Sequence, residues 1–474
     1  MKLYKLLKNV KCRVLGSCLI EIETLCHNDK DVNVNSLFFC LSGTKDDGVN
    51  YVYSAVKNGA VAVVLEKEIK GLTKVTQILV KNARIVMSLI SQNFYGNPAK
   101  NFKLIGVTGT NGKTTTTYMM SSLLNSLKYK TAIIGTNGVV FDGKIIETGM
   151  TTPDPIVLNR ILKMLVDLGV LYVCMEVSAH SIYLRKLDGL VFDLIIFTNL
   201  TEDHLDFFKN MRCYFDAKKR IFQNKYARQA LINVDDEFGL ELFNCINMKK
   251  KAYSIYNKSD YKAKNLGIKN YFQNFMVDDN FVSSKFLGEF NIYNLLAAIA
   301  GVEMLNIKIN NIQELVDMIE CIPGRFNVLV IKQKLFIIDY AHTPDGLENV
   351  LKLCKSIVED KKLICVFGCG GNRETQKRAK MGEISSKYAD FTIITSDNPR
   401  FEKRENIAKD IENGVIGNQY KIILNRADAI KYADNIARNG DVVLIAGKGC
   451  ENYIDELGVK TRYSDYEEVE KLRK

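Results

Sequence analysis

The apolar positions of this chain fall in short runs separated by stretches with helical period, and the alternation divides it into three regions. Residues 1–100 mix strand-like SLFFCLSG and AVAVVLE with helix-like VYSAVKNGA and ARIVMSLISQNFYG, and end at the breaker GNPAK. Residues 101–323 open with an apolar strand, a glycine loop and an amphipathic helix in FKLIGVTGTNGKTTTTYMMSSLLNSL. Buried-strand candidates TAIIGT, LYVCMEVS, DLIIFTNL and QALINVD follow, with helical stretches between them. A second break at IPGRFNV introduces residues 324–474, where KLFIIDYAH, KLICVFGCG, DFTIITSDNP, YKIILN and DVVLIAGKG repeat the pattern. Alternation of this kind predicts an α/β protein with parallel sheets covered by helices on both faces. In such sheets ligands bind at the carboxyl ends of strands.

The glycine loop GTNGKT, residues 109–114, is shorter than the strict phosphate-loop pattern of Gly, four residues and Gly-Lys-Ser/Thr. Its ingredients remain. A strand entering and a helix leaving aim backbone N–H groups at one point, Lys113 supplies charge, and the Thr114 hydroxyl suits Mg²⁺. The fold expected is therefore three domains: a small N-terminal α/β domain, a central P-loop-type domain on a parallel sheet, and a C-terminal Rossmann-like doubly wound domain. Two further strand ends, MEVSAHS and TNLTEDHLDFF, present Glu176, Ser178, His180, Asn199, Asp203, His204 and Asp206. Carboxylates and imidazoles beside a phosphate loop hold Mg²⁺ directly or through water. Of the chain's 4 histidines, His180, His204 and His342 fall in such motifs, which argues against a merely structural role for all of them.

Composition narrows the classes. At 474 residues, 47% hydrophobic and 25% charged, the chain is globular rather than disordered. No apolar run reaches the roughly 18 residues of a membrane span, and lysines interrupt the basic N-terminus too often for a signal peptide. A cytoplasmic protein is expected. The 12 cysteines are scattered without a C-x-x-C, as free thiols are. The net charge of +11 is spread among acidic residues, without the basic block or aromatic platforms of a nucleic-acid binder. It suits small polyanions such as nucleotides.

The motifs GTNGKTTT, TTPDP, MEVSAHS, TNLTEDHLD, YFDAK, GEFNIYNLLAAIA, PGRF, DYAHTPD, GCGGNRE, DNPR and GKGCE occur in that order over nearly the whole length. In this the chain resembles the Mur ligases, and among them the branch that adds the third peptide residue to UDP-N-acetylmuramoyl-L-alanyl-D-glutamate. The resemblance implies a cytoplasmic, monomeric, ATP- and Mg²⁺-dependent ligase of peptidoglycan synthesis, acting through an acyl phosphate. It implies that Gly109, Thr110, Asn111, Gly112, Lys113, Thr114 and Thr115 hold the triphosphate. Asn291, Asn294, Arg325, Asp339 and His342 would line the adenosine and phosphate end. Thr114 and Glu176 would serve one Mg²⁺ and His204 a second. The catalytic set would be Lys113, Glu176, His204 and Lys218, the last as carbamoyl-lysine. From its own surroundings in sequence, Lys218 reads rather as a surface lysine of an amphipathic helix, and the carbamoylated role rests on the resemblance alone. Ser42, Gly43, Thr44, Asp47 and Gly48 would meet the uridine end, and Thr151, Thr152, Ser178 and Lys186 the sugar and its peptide.

DNPR carries the choice of amino acid. Meso-diaminopimelate ends in a second amino-carboxylate centre, and a guanidinium reads a carboxylate through paired donors. L-Lysine ends in an ammonium, which Arg400 would repel. The resemblance therefore implies a diaminopimelate site of Arg373, Asp397, Asn398, Pro399, Arg400, Gly447 and Glu451. A lysine-adding ligase and folylpolyglutamate synthetase are the alternatives. Several positions depart from the family's usual residues: Asn28-Asp29-Lys30 in the N-terminal region, Lys186 beside Arg185, Asn327, Glu374 and Cys450.

Overall fold

The computed structural model describes residues 1–43, 47–269, 272–358 and 360–473. Its strands form three main sheets along the chain and a separate two-stranded ribbon. In the first, Thr24–Cys26, Ser36–Phe39, Ala60–Leu65 and Thr76–Leu79 run parallel, and Arg13–Leu15 closes the edge antiparallel to Thr76–Leu79. The amphipathic helix Ala83–Phe94, capped by Asn82, packs Val86, Met87 and Ile90 on one face of this sheet. Val52 and Ala55 cover the other.

The central sheet has 11 strands. Its parallel middle runs from Tyr261–Lys269 through Lys249–Ser254, Gln229–Asn233, Leu194–Phe197, Lys103–Thr108 and Tyr172–Glu176 to Thr131–Gly135. Helices Lys113–Ser126 and Glu289–Met304 bury one face and Pro155–Asp167 the other. The expectation of a parallel sheet holds for this middle only. At one edge Gly138–Phe141 and Lys144–Ile146 form an antiparallel hairpin, and at the other Phe272–Val277 and Asn280–Ser284 do the same. The reason is the turns. Asp142-Gly143 has φ of 49° and 70°, and Asp278 has φ of 50°. Two-residue connections that turn through left-handed backbone, at both residues in the first hairpin and at Asp278 in the second, join only antiparallel neighbours.

The third sheet orders Asn327–Ile331, Lys334–Asp339, Val442–Ala446, Leu363–Phe367, Phe391–Ile394 and Tyr420–Ile422. All neighbours are parallel except the first hairpin. Its order reverses between Val442–Ala446 and Leu363–Phe367, so the strand ends Asp339, Phe367, Ile394 and Ala446 open toward one crevice. Beneath that crevice, Arg426 and Asp465 form a fully buried bidentate pair, with Nε and Nη2 each 2.8 Å from the carboxylate. The same guanidinium donates to the Ala446 carbonyl at 2.9 Å. No helix among the described residues is long and apolar enough to cross a membrane.

Removing one partner of a buried ion pair strands the other charge without water. Asp465→Ala should therefore destabilise the C-terminal sheet by about 3–5 kcal/mol, read as a lowered denaturant midpoint for that region in chemical unfolding.

Candidate active site

Strand Lys103–Thr108 delivers the chain into the glycine loop. A Cβ at Gly109, whose φ is 156°, would lie 1.8 Å from Thr198 Oγ1. Gly112 has φ of 84° and caps helix Lys113–Ser126, and a Cβ there would lie 2.4 Å from Asn294 Oδ1. Only glycine fits at either position, and the result is a backbone cradle at a helix N-terminus, suited to a phosphate. Thr198 Oγ1 donates to the Asn111 carbonyl at 2.6 Å, and Asn199 Oδ1 accepts from Asn111 N at 2.9 Å, which fixes the loop from below.

Lys113 Nζ folds back onto the loop's own carbonyls, donating to Gly109 at 3.0 Å and Thr110 at 2.8 Å. Lys218, on helix Met211–Lys219, is fully buried rather than on a surface, and its Nζ donates to the same Gly109 carbonyl at 2.7 Å. Its ammonium also lies 4.6 Å from the centre of the Tyr214 ring. Burial, and then the positive charge of Lys113, hold the Lys218 amine well below its ordinary pKa. Burial likewise lowers Lys113.

Glu176 ends its strand buried. Its Oε1 accepts from Thr114 Oγ1 and from Thr136 N, both at 2.9 Å, and Oε2 accepts from Thr136 Oγ1 at 3.1 Å. A hydroxyl and a carboxylate side by side are hard oxygen donors of the kind Mg²⁺ takes. Among the described residues no cluster of three or more His, Cys, Asp or Glu side chains forms a self-sufficient metal cage. The pair therefore fits an ion that keeps waters and phosphate oxygens as its remaining ligands. His204 has left-handed φ of 59°, held by its N–H to Asp203 Oδ1 at 2.9 Å, and its Nε2 stands 3.3 Å from Asp203 Oδ2. Burial outweighs that carboxylate and lowers the imidazole's pKa, leaving a neutral ring nitrogen able to coordinate. The His180 ring meets it edge-on at 4.8 Å.

Towards the other end, Thr116 Oγ1 donates to Asn294 Oδ1 and Asn294 Nδ2 to Asn291 Oδ1, each at 3.2 Å, so the two carboxamides are chained together. Asp339 spends its carboxylate on the backbone, accepting from Phe326 N at 2.8 Å and Ala341 N at 2.7 Å. It thereby pins the 322–328 segment that joins the central and C-terminal regions, from a place on the cavity wall. Asn327 Oδ1 reinforces the hinge by accepting from Gly324 N at 2.6 Å. His342 is half-buried, and desolvation of its ring pushes its pKa down to about 4. Arg325 leaves the hinge with its guanidinium 4.7 Å from the Tyr340 ring centre and donates to Thr114 Oγ1 at 2.9 Å. Asn111 Nδ2 donates to Asp345 Oδ2 at 2.7 Å, and Cys450 Sγ to Asn137 Oδ1 at 2.9 Å. These bonds hold the C-terminal sheet closed over the central loop.

One cavity of about 1010 Å³ runs between the two sheets. Loop residues Thr110 to Thr115, Thr151, Glu176, Ser178, His204, Lys218, Asn291, Asn294, Arg325, Asp339 and His342 line it together with Arg373, Asp397, Asn398, Arg400, Gly447 and Glu451. Gly109 and Pro399 are not among its lining residues. Asn398 is fully engaged: Nδ2 donates to Glu451 Oε2 at 2.8 Å, while Oδ1 accepts from Lys448 Nζ at 3.1 Å and Asp455 N at 2.9 Å. Arg400 Nη1 donates to the Gly371 carbonyl at 2.6 Å. Sequence reasoning missed Thr136, Asp345 and Lys448. The last two lie inside quoted motifs, and Thr136 ends the strand candidate TAIIGT, so its place at a strand's carboxyl end was the available signal.

The structure does not bring the remaining candidates into this cavity. Thr152 lies one layer back, donating to the Glu176 carbonyl at 2.9 Å. Lys186 Nζ pairs with Asp154 at 2.8 Å, whereas Arg185 turns away to the Tyr226 hydroxyl. Ser42 and Asp47 form a bridge in the N-terminal region, with Gly43 and Gly48 beside it, and Thr44 lies outside the described residues. Asp29 accepts from Ser54 Oγ at 2.7 Å, and Asn28 caps the Lys30 N–H at 3.1 Å, so that departure builds a local turn.

The profile of the Mur ligase middle domain matches residues 107–302, and that of the Mur ligase glutamate ligase domain matches 324–449. The chain is 41% identical over 477 residues to UDP-N-acetylmuramoyl-L-alanyl-D-glutamate--2,6-diaminopimelate ligase 1 of Clostridium acetobutylicum, covering 99% of this chain and 98% of that one. A solved structure of a UDP-N-acetylmuramoyl-L-alanyl-D-glutamate--2,6-diaminopimelate ligase is similar with a TM-score of 0.66 at 30% identity, over 95% of this chain and 94% of the other. The folylpolyglutamate synthase of Mycobacterium tuberculosis complexed with ADP and AMPPCP shares the fold with a TM-score of 0.64. It is 16% identical and covers 77% of this chain and 92% of its own.

Arg325 is the side chain that carries the hinge to the phosphate loop. Arg325→Ala should lower kcat/KM for ATP by roughly tenfold, the equivalent of about 1.4 kcal/mol. It should also enlarge the radius of gyration in small-angle scattering as the C-terminal sheet swings away.

Proposed function

The chain belongs to the Mur ligase family, and on that premise we infer that it adds meso-diaminopimelate to the D-glutamate of UDP-N-acetylmuramoyl-L-alanyl-D-glutamate. The reaction consumes ATP and serves peptidoglycan precursor synthesis in the cytoplasm. The observation that carries this reading is the single cavity with the phosphate loop at one side and Arg373, Asn398, Arg400 and Glu451 at the other.

The γ-phosphate passes to the D-glutamate carboxylate, and the amine of diaminopimelate then displaces phosphate from the acyl phosphate to form the amide. This chemistry needs charge neutralisation and alignment rather than a side-chain nucleophile. The loop N–H groups hold the phosphates. Lys113 exchanges its two carbonyl partners for phosphate oxygens, and Arg325 follows through Thr114. Mg²⁺ held by Thr114 and Glu176, and a second ion held at His204, would neutralise the phosphoryl oxygens.

Lys218 is read as the carbamoylated lysine. Only a neutral amine adds to CO₂, and burial beside Lys113 favours that form. The new N–C bond and the one proton released turn that neutral amine into an anion that attracts Lys113.

At the far end, Arg400 commits Nη1 to Gly371, and among the described residues no acceptor meets its Nε or Nη2, which suits a carboxylate. Glu451 shares Oε2 between Asn398 and Lys448, leaving Oε1 for an ammonium. Arg373 is assigned to the other carboxylate, and Asp397 and Gly447 shape the wall. Ser42, Gly43, Thr44, Asp47 and Gly48 are assigned to uridine, and Thr151, Thr152, Ser178 and Lys186 to the sugar-peptide.

A phosphate-release assay with ATP and UDP-N-acetylmuramoyl-L-alanyl-D-glutamate tests this directly. Release with meso-diaminopimelate and little with L-lysine or L-ornithine is expected; release with none of them, or preference for L-lysine, refutes the assignment. Lys218→Ala should lose activity by at least about 100-fold, on the order of 2.7 kcal/mol. Short carboxylates such as acetate should restore part of it by replacing the missing anion.

A further inference from the structure

Arg378 does not line the cavity, yet its bonds run to the two loops that form the cavity's amino-acid end. Its side chain is 1% exposed. Nη1 donates to Glu402 Oε2 and Asp410 Oδ2, both at 2.9 Å. Nη2 donates to Glu402 Oε1 at 3.0 Å and to the Gly370 carbonyl at 3.2 Å. Glu402 also accepts from the backbone N–H of Asn372.

The loops joined in this way are those of Arg373 and Arg400. Gly371 N donates to the Asn398 carbonyl at 2.9 Å, Phe401 N to Asn372 Oδ1 at 3.0 Å, and Arg400 Nη1 to the Gly371 carbonyl at 2.6 Å. Arg400 itself has φ of 50°, a left-handed conformation that a non-glycine residue keeps only where its surroundings impose it. Those surroundings are the ribbon of Tyr453–Glu456, where Arg400 N donates to the Asp455 carbonyl at 2.9 Å and Leu457 N to the Arg400 carbonyl at 2.7 Å, and on the other side the stitched loops, with Arg378 and Glu402 beneath the stitching. The planar fork of a guanidinium grips both oxygens of Glu402 and still reaches Gly370. An ammonium would keep the charge without the fork.

We propose that Arg378 is a positioning residue for amino-acid recognition: through Glu402 and the Gly370 carbonyl it sets the spacing of Arg373 and Arg400, and with it the separation of the two carboxylates the site accepts. This rests on the reading of Arg373 and Arg400 as carboxylate contacts. It makes the choice of amino acid a property of loop registration as well as of the guanidinium groups themselves.

Steady-state kinetics on the full-length enzyme, varying each substrate in turn, test this with Arg378→Lys, Glu402→Gln and, as a reference, Arg400→Lys. Arg378→Lys should raise KM for meso-diaminopimelate tenfold or more while KM for ATP and for the UDP-linked dipeptide stays within twofold. Glu402→Gln, at a partner that is 28% exposed, should fold normally and raise KM for diaminopimelate at least threefold. It decides the matter if Arg378→Lys does not fold. Unchanged diaminopimelate KM in the folded variants, or an equal rise for ATP, overturns the positioning role. If Arg400→Lys raises that KM and the other two variants do not, the clamp stands and the role of Arg378 falls. If Arg400→Lys has no effect, the clamp reading fails and this proposal fails with it.

Discussion

Two lysine amines, those of Lys113 and Lys218, reach one carbonyl oxygen, that of Gly109, at the wall of the cleft between the sheets. Neither has a carboxylate within salt-bridge distance among the described residues, since Glu176 is occupied by Thr114 and Thr136 and Asp203 by His204. Positive charge without a local counter-charge is expensive to bury. An arrangement of this kind is stable to the extent that an anion completes it, and the glycine cradle beside it is shaped for a phosphate. The absence of side chains at Gly109 and Gly112 is what lets the carbonyl and the N–H groups approach, because a Cβ at either would strike Thr198 or Asn294.

The C-terminal region meets the central one through polar contacts that include Arg325 with Thr114, Asp345 with Asn111, Cys450 with Asn137, Lys380 with Glu202 and Asn452 with Glu147. The first two involve phosphate-loop side chains. Closure and nucleotide binding are thus expressed in the same atoms, which is how a domain movement can be made conditional on a ligand. Cys450 stands where the family usually has histidine, and its thiol makes the cross-sheet hydrogen bond from that position. Asn327 takes the place of a usual glutamate and serves the hinge by bonding Gly324. In neither case does the departure leave a gap in the structure.

Much of the architecture was legible because its signals are local. Apolar runs bounded by glycine and proline marked most of the strands, and the loop-then-helix pattern at 109–114 located the phosphate cradle. The edge hairpins at 138–146 and 272–284 were less visible, since short amphipathic strands beside a long parallel sheet resemble loops until their turns are known. Lys218 shows the limit most clearly. Its helix, MRCYFDAKK, reads as a polar surface helix with two adjacent lysines, and nothing local separates the buried Lys218 from the more exposed Lys219.

The sequence by itself determined the residue types: a lysine and a hydroxyl after a glycine loop, a carboxylate and an imidazole at strand ends, and an arginine after Asn-Pro. It also determined the order of strands and helices, because hydrophobic period is a property of neighbouring residues. Tertiary structure alone decided which of these groups share a chamber. It buried Lys218 beside Lys113, turned Lys186 rather than Arg185 toward Asp154, spent Asp339 on the hinge, and set Arg378 under the loops of Arg373 and Arg400. Those outcomes depend on contacts between segments tens to hundreds of residues apart. Burial and charge there are set by packing, which local sequence pattern does not encode.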